Sequence, residues 1–426
     1  MRSLVPDPLP ISPSDTAVPE HRSPSPAGHS MTALERRSSL SLALIFALRM
    51  LGLFLVLPVF ALEAHKYPGG DNPALVGLAM GIYGLTQALL QLPLGMASDR
   101  FGRKRVILPG LLVFAAGSLL AAQADSLTGL LLGRALQGAG AVSAAVTALL
   151  ADQTRDAVRT KAMAWVGGSI GLMFALALVA APALAAHIGL SGLFGLSCAL
   201  ALAGVAVLLW WVPPEPGRQG QALRGRMAAG LAEVWTHPDL LRLNLGVFVL
   251  HTVQLSMWVA VPALLVQAGL GKEQHWRLYL PAVVLSFAAL GGLFALERAG
   301  RLRAALLGAI ALVLLVQAGL GALAVSGATP TLWLLGPLMW VFFCGFNALE
   351  ASQPSLVSRM APAHLRGAAL GSYNTLQSLG LFAGGALGGA LVKWSGTPGL
   401  FAVTSALTAL WLVLTWPLRP VGRNGH

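Results

Sequence analysis

Charge is what this chain has least of. Asp, Glu, Lys and Arg make up 10% of its 426 residues, against roughly a quarter in water-soluble proteins, while 56% of the residues are hydrophobic. With a mean hydropathy of +0.73, a water-soluble domain is excluded and an integral membrane protein remains. Cysteine is scarce as well. Cys198 and Cys344 both fall in apolar stretches, which leaves neither a disulfide framework nor the Cys/His spacing of a metal site, and both read as packing residues. No G-x-x-x-x-G-K-[ST] loop occurs, so no nucleotide or other cofactor is indicated and the energy source of any transport should be an ion gradient. The pattern GGSIG at Gly167 to Gly171 has the form of a serine-hydrolase elbow. Ser169 lies in an apolar helical run rather than after a strand, with no Asp and His arranged to activate it, so no enzyme is expected.

What the chain does have is long apolar runs. A membrane helix needs about 20 mostly apolar residues, and twelve stretches qualify: 41–63, 74–95, 106–123, 127–151, 162–187, 191–212, 241–268, 278–296, 304–325, 331–357, 367–392 and 398–418. The fold class is therefore all-α, with twelve transmembrane helices. Residues 1–38 hold seven prolines among Ser, Asp and Arg and read as a disordered tail. A six-helix bundle over 39–212 should end at the interfacial pair Trp210 and Trp211. A linker over 213–240 follows, in which Leu223, Met227, Leu231 and Val234 lie opposite Arg224, Arg226 and Glu233 at helical spacing, as in a helix lying on the membrane surface. A second bundle over 241–418 and a short tail over 419–426 complete the chain.

The net charge of +12 follows from topology rather than from a nucleic-acid partner. With both termini cytoplasmic, 22 Lys and Arg fall inside, four outside (Lys66, Lys272, Arg277, Lys393) and two within spans (Arg49, Arg134). Anionic lipid headgroups are the polyanion this implies.

The densest charge cluster, GMASDRFGRKR from Gly95 to Arg105, sits between spans 2 and 3. It is echoed between spans 8 and 9 as ERAGRLR, Glu297 to Arg303. The first copy, through Gly95, Asp99, Arg100, Gly102, Arg103 and Lys104, resembles the signature loop of major facilitator superfamily transporters. GRALQGAGA in span 4 resembles the family's helix 4 motif, and LRMLGLFLVLPVF and GIYGLTQALLQLPLG in spans 1 and 2 resemble the YajR-type branch of its drug:proton antiporter-like members. Helix 5 departs from the antiporter motif: Gly168 and Pro182 match, but Ala177, Ala181, Ala185 and Ala186 stand where the family has glycine. The resemblance implies two pseudo-symmetric six-helix halves, a solute site between them, and a working monomer in a bacterial inner membrane. It also implies a conformational latch in which Asp99 faces the start of helix 11 and Arg103 reaches Asp152. These charges serving only to orient insertion is the alternative.

Charged groups at mid-membrane cost about 2.5–3.5 kcal/mol each on insertion scales, so each needs a reason. Arg49, Arg134, His251 and Glu350 fall one each on spans 1, 4, 7 and 10, the helices that line the central cavity in the fold the chain resembles. Glu350 lies among Phe342, Phe343, Phe346 and Leu349, where desolvation disfavours the charged form. It is expected to carry the coupled proton with His251 as a second titratable partner. A structural ion pair of Glu350 with Arg49, and a core role for His251, are the competing readings. Gln137, one turn from Arg134, is placed to occupy some of its donors. Phe54, Tyr83, Gln87, Gln254, Trp258, Trp340, Asn347 and Tyr373 are the polar and aromatic residues within spans that suit a cavity wall. The function expected is proton-coupled efflux of small amphiphilic or drug-like solutes; proton-coupled uptake of a sugar or other small metabolite, and a non-transporting sensor, are the alternatives.

Overall fold

The computed structural model describes residues 30–215, 230–362 and 365–418. The tail before Ser30 and the surface-helix positions Leu223 and Met227 lie outside the described residues. Among those described, nine helices are long and apolar enough to cross a membrane. Two of them are double: Asp156–Trp210 contains spans 5 and 6, and Arg366–Thr415 contains spans 11 and 12. Trp276–Arg298 supplies span 8, which completes the expected twelve.

The two halves repeat in backbone as well as in sequence. Spans 5 and 6 meet at Gly189 (φ 64°, ψ −174°) and spans 11 and 12 at Gly396 (φ 66°, ψ −174°). The repeated basic loop turns at Gly102 (φ 109°) in one half and Gly300 (φ 73°) in the other. Each φ lies where only glycine is comfortable, so the same kink is written twice by the same residue type.

Three boundaries differ from expectation. The first helix starts at Ala33, so residues 33–38, expected in the tail, are helical. Thr32 caps it, accepting from Glu35 N–H while the Glu35 carboxylate accepts from Thr32 N–H at 2.8 Å. Span 1 is two helices, Ala33–Phe54 and Leu57–Ala64, because Pro58 has no N–H to continue the ladder. Span 4 likewise breaks into Leu127–Ala139 and Ser143–Asp152. At that break Gly140 packs on span 3 so tightly that an added Cβ would lie 2.5 Å from the Gly110 carbonyl oxygen.

Span 11 is the helix on which the halves meet. On one side Gly380, Gly384 and Gly388 pack against span 7 at Phe248, Thr252 and Ser256. On another, Gly385 and Gly389 pack against Gly77 and Gly81 of span 2. Small residues let helix backbones approach where no hydrophobic effect drives them together.

One face of the membrane bundle carries Ala33 and Leu418, and on the opposite, far face an ion pair joins the halves. Glu63, at the end of span 1 and with its side chain 2% exposed, accepts from Lys272 of the turn between spans 7 and 8 at 2.6 Å. It also accepts from Lys66 of its own half at 2.5 Å, and that bond holds the Lys66 ammonium above its ordinary value. Val59, Leu62, Pro182, Ala185 and Ala186 line the small cleft beside this pair.

Gly385→Ala would place a Cβ 2.5 Å from the Gly77 carbonyl oxygen, so spans 2 and 11 must part. The melting temperature in detergent should fall, with about 1–3 kcal/mol of stability lost to overpacking, whereas Gly291→Ala, which meets nothing within 4 Å, should leave it unchanged or raise it. Glu63→Gln should loosen the far face. A cysteine placed at Ala185, in protein lacking Cys198 and Cys344, should then react several-fold faster with a water-soluble maleimide. Exchanging the charges, Glu63→Lys with Lys272→Glu, should restore the slow rate.

Candidate functional site

The four ionisable residues expected at the centre sort into two groups, one in each half. Arg49 of span 1 is 1% exposed and donates to Tyr83 Oη at 2.7 Å, Gln87 Oε1 at 3.1 Å and Ser143 Oγ at 3.0 Å. Its guanidinium also lies 5.5 Å from the centre of the Phe114 ring. Arg134 of span 4, equally buried, donates to the backbone carbonyls of Met80 at 2.9 Å and Ala79 at 3.4 Å, and to Gln137 Oε1 at 3.4 Å. Gln137 is anchored in turn on Ser118 Oγ at 2.8 Å. Tyr83 links the two arginines, with its hydroxyl on Arg49 and its ring 5.4 Å from the Arg134 guanidinium. Two buried cations are thus dispersed over neutral oxygens and aromatic faces rather than paired with carboxylates.

The carboxylate belongs to the other group. Glu350 of span 10 places Oε2 3.5 Å from His251 Nε2 of span 7, and Gln377 of span 11 reaches both residues. The ion pair between Arg49 and Glu350 that the sequence left open is not formed: both terminal nitrogens of Arg49 donate inside its own half, and its Nε has no partner among the described residues. One hydrogen bond nevertheless ties the first group to span 11 of the other half. The Gln87 amide donates to Ser378 Oγ at 3.0 Å, and Ser378 is the chain neighbour of Gln377.

Aromatic rings cross between the halves as well. Phe54 of span 1 lies edge-on to Phe174 of span 5 at 5.2 Å, Phe174 lies 5.9 Å from Phe346 of span 10, and Phe346 lies edge-on to His251 at 6.1 Å. Among the buried polar atoms that have no hydrogen-bond partner within the described residues are Tyr373 Oη, Gln91 Oε1 and both amide atoms of Gln353. They lie close in sequence to the central groups, as Gln353 follows Glu350 by three residues, Gln91 follows Gln87 by four and Tyr373 precedes Gln377 by four.

The other cavity candidates are scattered. Gln254 is buried in span 7, and Trp258 is buried edge-on to Tyr279. Asn347 donates to Ser286 Oγ at 2.8 Å, joining span 10 to span 8. Trp340 is exposed, outside the buried cluster.

The basic loop forms a knot in the first half. Arg103 pairs with Asp99 and donates to Asp152 at 3.0 Å and to Ser98 Oγ at 2.8 Å. Arg100 lies over Phe101, and Gly95 meets Ala144 of span 4. One further partner carries no signal in the sequence. Glu215, at the start of the linker, accepts from the backbone N–H of Arg103 at 3.2 Å and of Lys104 at 2.5 Å, capping the positive end of span 3. The Lys104 ammonium donates to the Val212 carbonyl at 2.7 Å.

Sequence reading also missed Gln377, Ser378, Ser143 and the pair Glu63–Lys272. The two members of span 11 stand in the polar run SYNTLQSLG, the only available signal. In the sequence Lys272 is one of the four basic residues expected on the outer side, and Glu63 is the last residue of span 1, with nothing nearby in the chain to pair the two.

The same signature emerges from comparison with known proteins. Residues 42–385 match the family model described as Major Facilitator Superfamily. The chain is 40% identical over 387 residues to the inner membrane transport protein YajR of Escherichia coli K12, covering 91% of this chain and 84% of that protein. It is 27% identical over 363 residues to the class G tetracycline resistance protein of Vibrio anguillarum, covering 82% and 88%. The crystal structure of the nucleoside transporter NupG superposes with a TM-score of 0.70 at 15% identity, over 89% of this chain and 99% of that one, a likeness of fold. With its twelve helices in two pseudo-symmetric halves, this chain belongs to the major facilitator superfamily of membrane transporters.

Proposed function

We propose that this protein is a proton-coupled exporter of small amphiphilic or drug-like solutes, working by alternating access in a bacterial inner membrane with both termini cytoplasmic. The observation that carries the reading is the pair formed by the buried His251 and the partly exposed Glu350. It is a carboxylate and an imidazole 3.5 Å apart on helices of one half, bridged by Gln377 of span 11, whose chain neighbour Ser378 accepts from the Gln87 that Arg49 contacts in the other half. A carboxyl and an imidazole in contact where spans 7, 10 and 11 meet are side chains of the kind that take up a proton and pass it on. The rings of Phe54, Phe174 and Phe346 supply apolar faces next to amide and hydroxyl groups, a wall suited to a solute with both kinds of surface. Relatives named for tetracycline resistance agree with that direction and class.

A second reading has its own observation. The unpartnered amide of Gln353 and the unpartnered Gln91 Oε1 would suit a hydroxyl-rich solute, which supports proton-coupled uptake of a sugar or other small metabolite as the second reading. On either reading Arg49 and Arg134 set the cavity charge, the Asp99–Arg103–Asp152 knot acts as a latch on the cytoplasmic side, and the protein works as a monomer among anionic lipids.

The test is proton movement in proteoliposomes under an imposed pH gradient, with tetracycline and ethidium as amphiphilic probes and pentoses and hexoses as hydrophilic ones. Proton release should follow the amphiphiles and fall to background in Glu350→Gln, while binding of the probe to that variant persists. Flux driven by sugars alone would favour the second reading, and solute-driven proton flux unchanged in Glu350→Gln would remove Glu350 from the coupling.

A further inference from the structure

The one amide that touches both titratable groups belongs to neither of the helices that carry them. Gln377 Nε2 of span 11 lies 2.8 Å from His251 Nε2 and 3.2 Å from Glu350 Oε1. An amide nitrogen has two protons and no acceptor capacity, so both contacts are donated bonds and both protons are used. His251 Nε2 must therefore offer its lone pair, and the single ring proton sits on Nδ1, where the Val247 carbonyl accepts at 2.9 Å.

This arrangement resolves a conflict built into the site. The Val247 carbonyl requires a proton on Nδ1, while the carboxylate 3.5 Å from Nε2 would be best served by a proton there too. A neutral imidazole has only one. Gln377 stands in as donor to the carboxylate and to the ring, so the ring keeps its proton on Nδ1 while its Nε2 lone pair accepts from the amide. The other polar groups near the pair do not serve in its place. The Tyr373 hydroxyl, one turn away on span 11, has no partner, and Arg49 is held in the first half.

Gln377 also lies where movement between the halves would be felt. Its neighbour Ser378 accepts from Gln87 of span 2, and Gly84 of span 2 packs against the Ser378 carbonyl so closely that an added Cβ would lie 2.4 Å away. Two residues on, Gly380 meets span 7 at the Phe248 carbonyl, at the level of His251. A shift of span 11 with the first half would carry the amide away from the ring.

We propose that Gln377 is the positioning residue of the pair: it keeps His251 in the Nδ1–H form with Nε2 unprotonated and accepting, and it links that form to the seating of span 11 between the halves. The inference rests on Glu350 and His251 being the proton-carrying pair.

The experiment is ¹⁵N nuclear magnetic resonance of the full chain in lipid bilayers, labelled at histidine, with His251→Asn identifying the His251 signals. At neutral pH the wild type should show a protonated Nδ1 and an unprotonated Nε2. Gln377→Met, which keeps the volume and removes the donors, should convert Nε2 to the protonated type at the same pH. A wild-type signal with the proton on Nε2 overturns the proposal whether or not the variant folds, and so does an unchanged pattern in a folded Gln377→Met protein. The two readings separate cleanly. Loss of proton flux in Glu350→Gln with no effect of Gln377→Met on the ring leaves coupling intact and removes Gln377; the converse keeps the positioning role and removes the coupling.

Discussion

The closest backbone contacts between the halves run along span 11, and much of the central chemistry depends on them. Gly385 and Gly389 meet Gly77 and Gly81 of the first half, while Gly380 and Gly384 meet Phe248 and Thr252 of the second. Inside a bilayer the lipid is as apolar as leucine, so helices hold together by contact and by interhelical hydrogen bonds rather than by escaping water. Backbone-to-backbone packing maximises the first and permits the second: Thr252 and Ser256 hydroxyls reach the Gly380 and Gly384 carbonyls at 3.3 and 3.0 Å. Seated this way, span 11 delivers Gln377 to one half and Ser378 to the other.

The charges around that seam are distributed unevenly. The first half buries two guanidinium groups, and the side chains they contact are hydroxyls, amides and rings; the second half brings a carboxylate and an imidazole. Burying a cation without a counter-ion is tolerable when its donors are individually satisfied and its charge is spread over aromatic faces. The outcome is a positive field in one half facing a titratable site in the other, with one amide and one hydroxyl between them.

The parts legible in the sequence were those written in charge against an apolar background. Twelve runs, the repeated basic loop and the placement of Arg49, Arg134, His251 and Glu350 on spans 1, 4, 7 and 10 needed only hydropathy and spacing. The breaks in spans 1 and 4 were not legible, because a proline or glycine inside an apolar run has the same hydropathy whether or not the helix continues through it. Nor was the pairing of Glu350: which neutral side chains claim Arg49 depends on how Tyr83, Gln87 and Ser143, from two other spans, converge in space. Gln377 was hidden for a related reason. A neutral amide in a membrane helix carries no charge to betray it, and its importance comes entirely from the two groups it reaches. Glu215 shows the same limit in the linker, where a lone acid gains meaning from the helix end it caps.

Glu63 has a kinetic consequence. A carboxylate held by one ammonium from the opposing half would be stranded whenever the halves parted, and stranding a buried charge costs about 3–5 kcal/mol. Here Lys66 belongs to the same half as Glu63, so a parting of the halves that withdrew Lys272 would leave the carboxylate its nearer ammonium. The ammonium that leaves is already 41% exposed and returns to water it partly touches. Opening then approaches the cost of separating a surface pair, about 1 kcal/mol or less. Such a contact can be closed most of the time and still open often, and salt in the surrounding medium will tune how often.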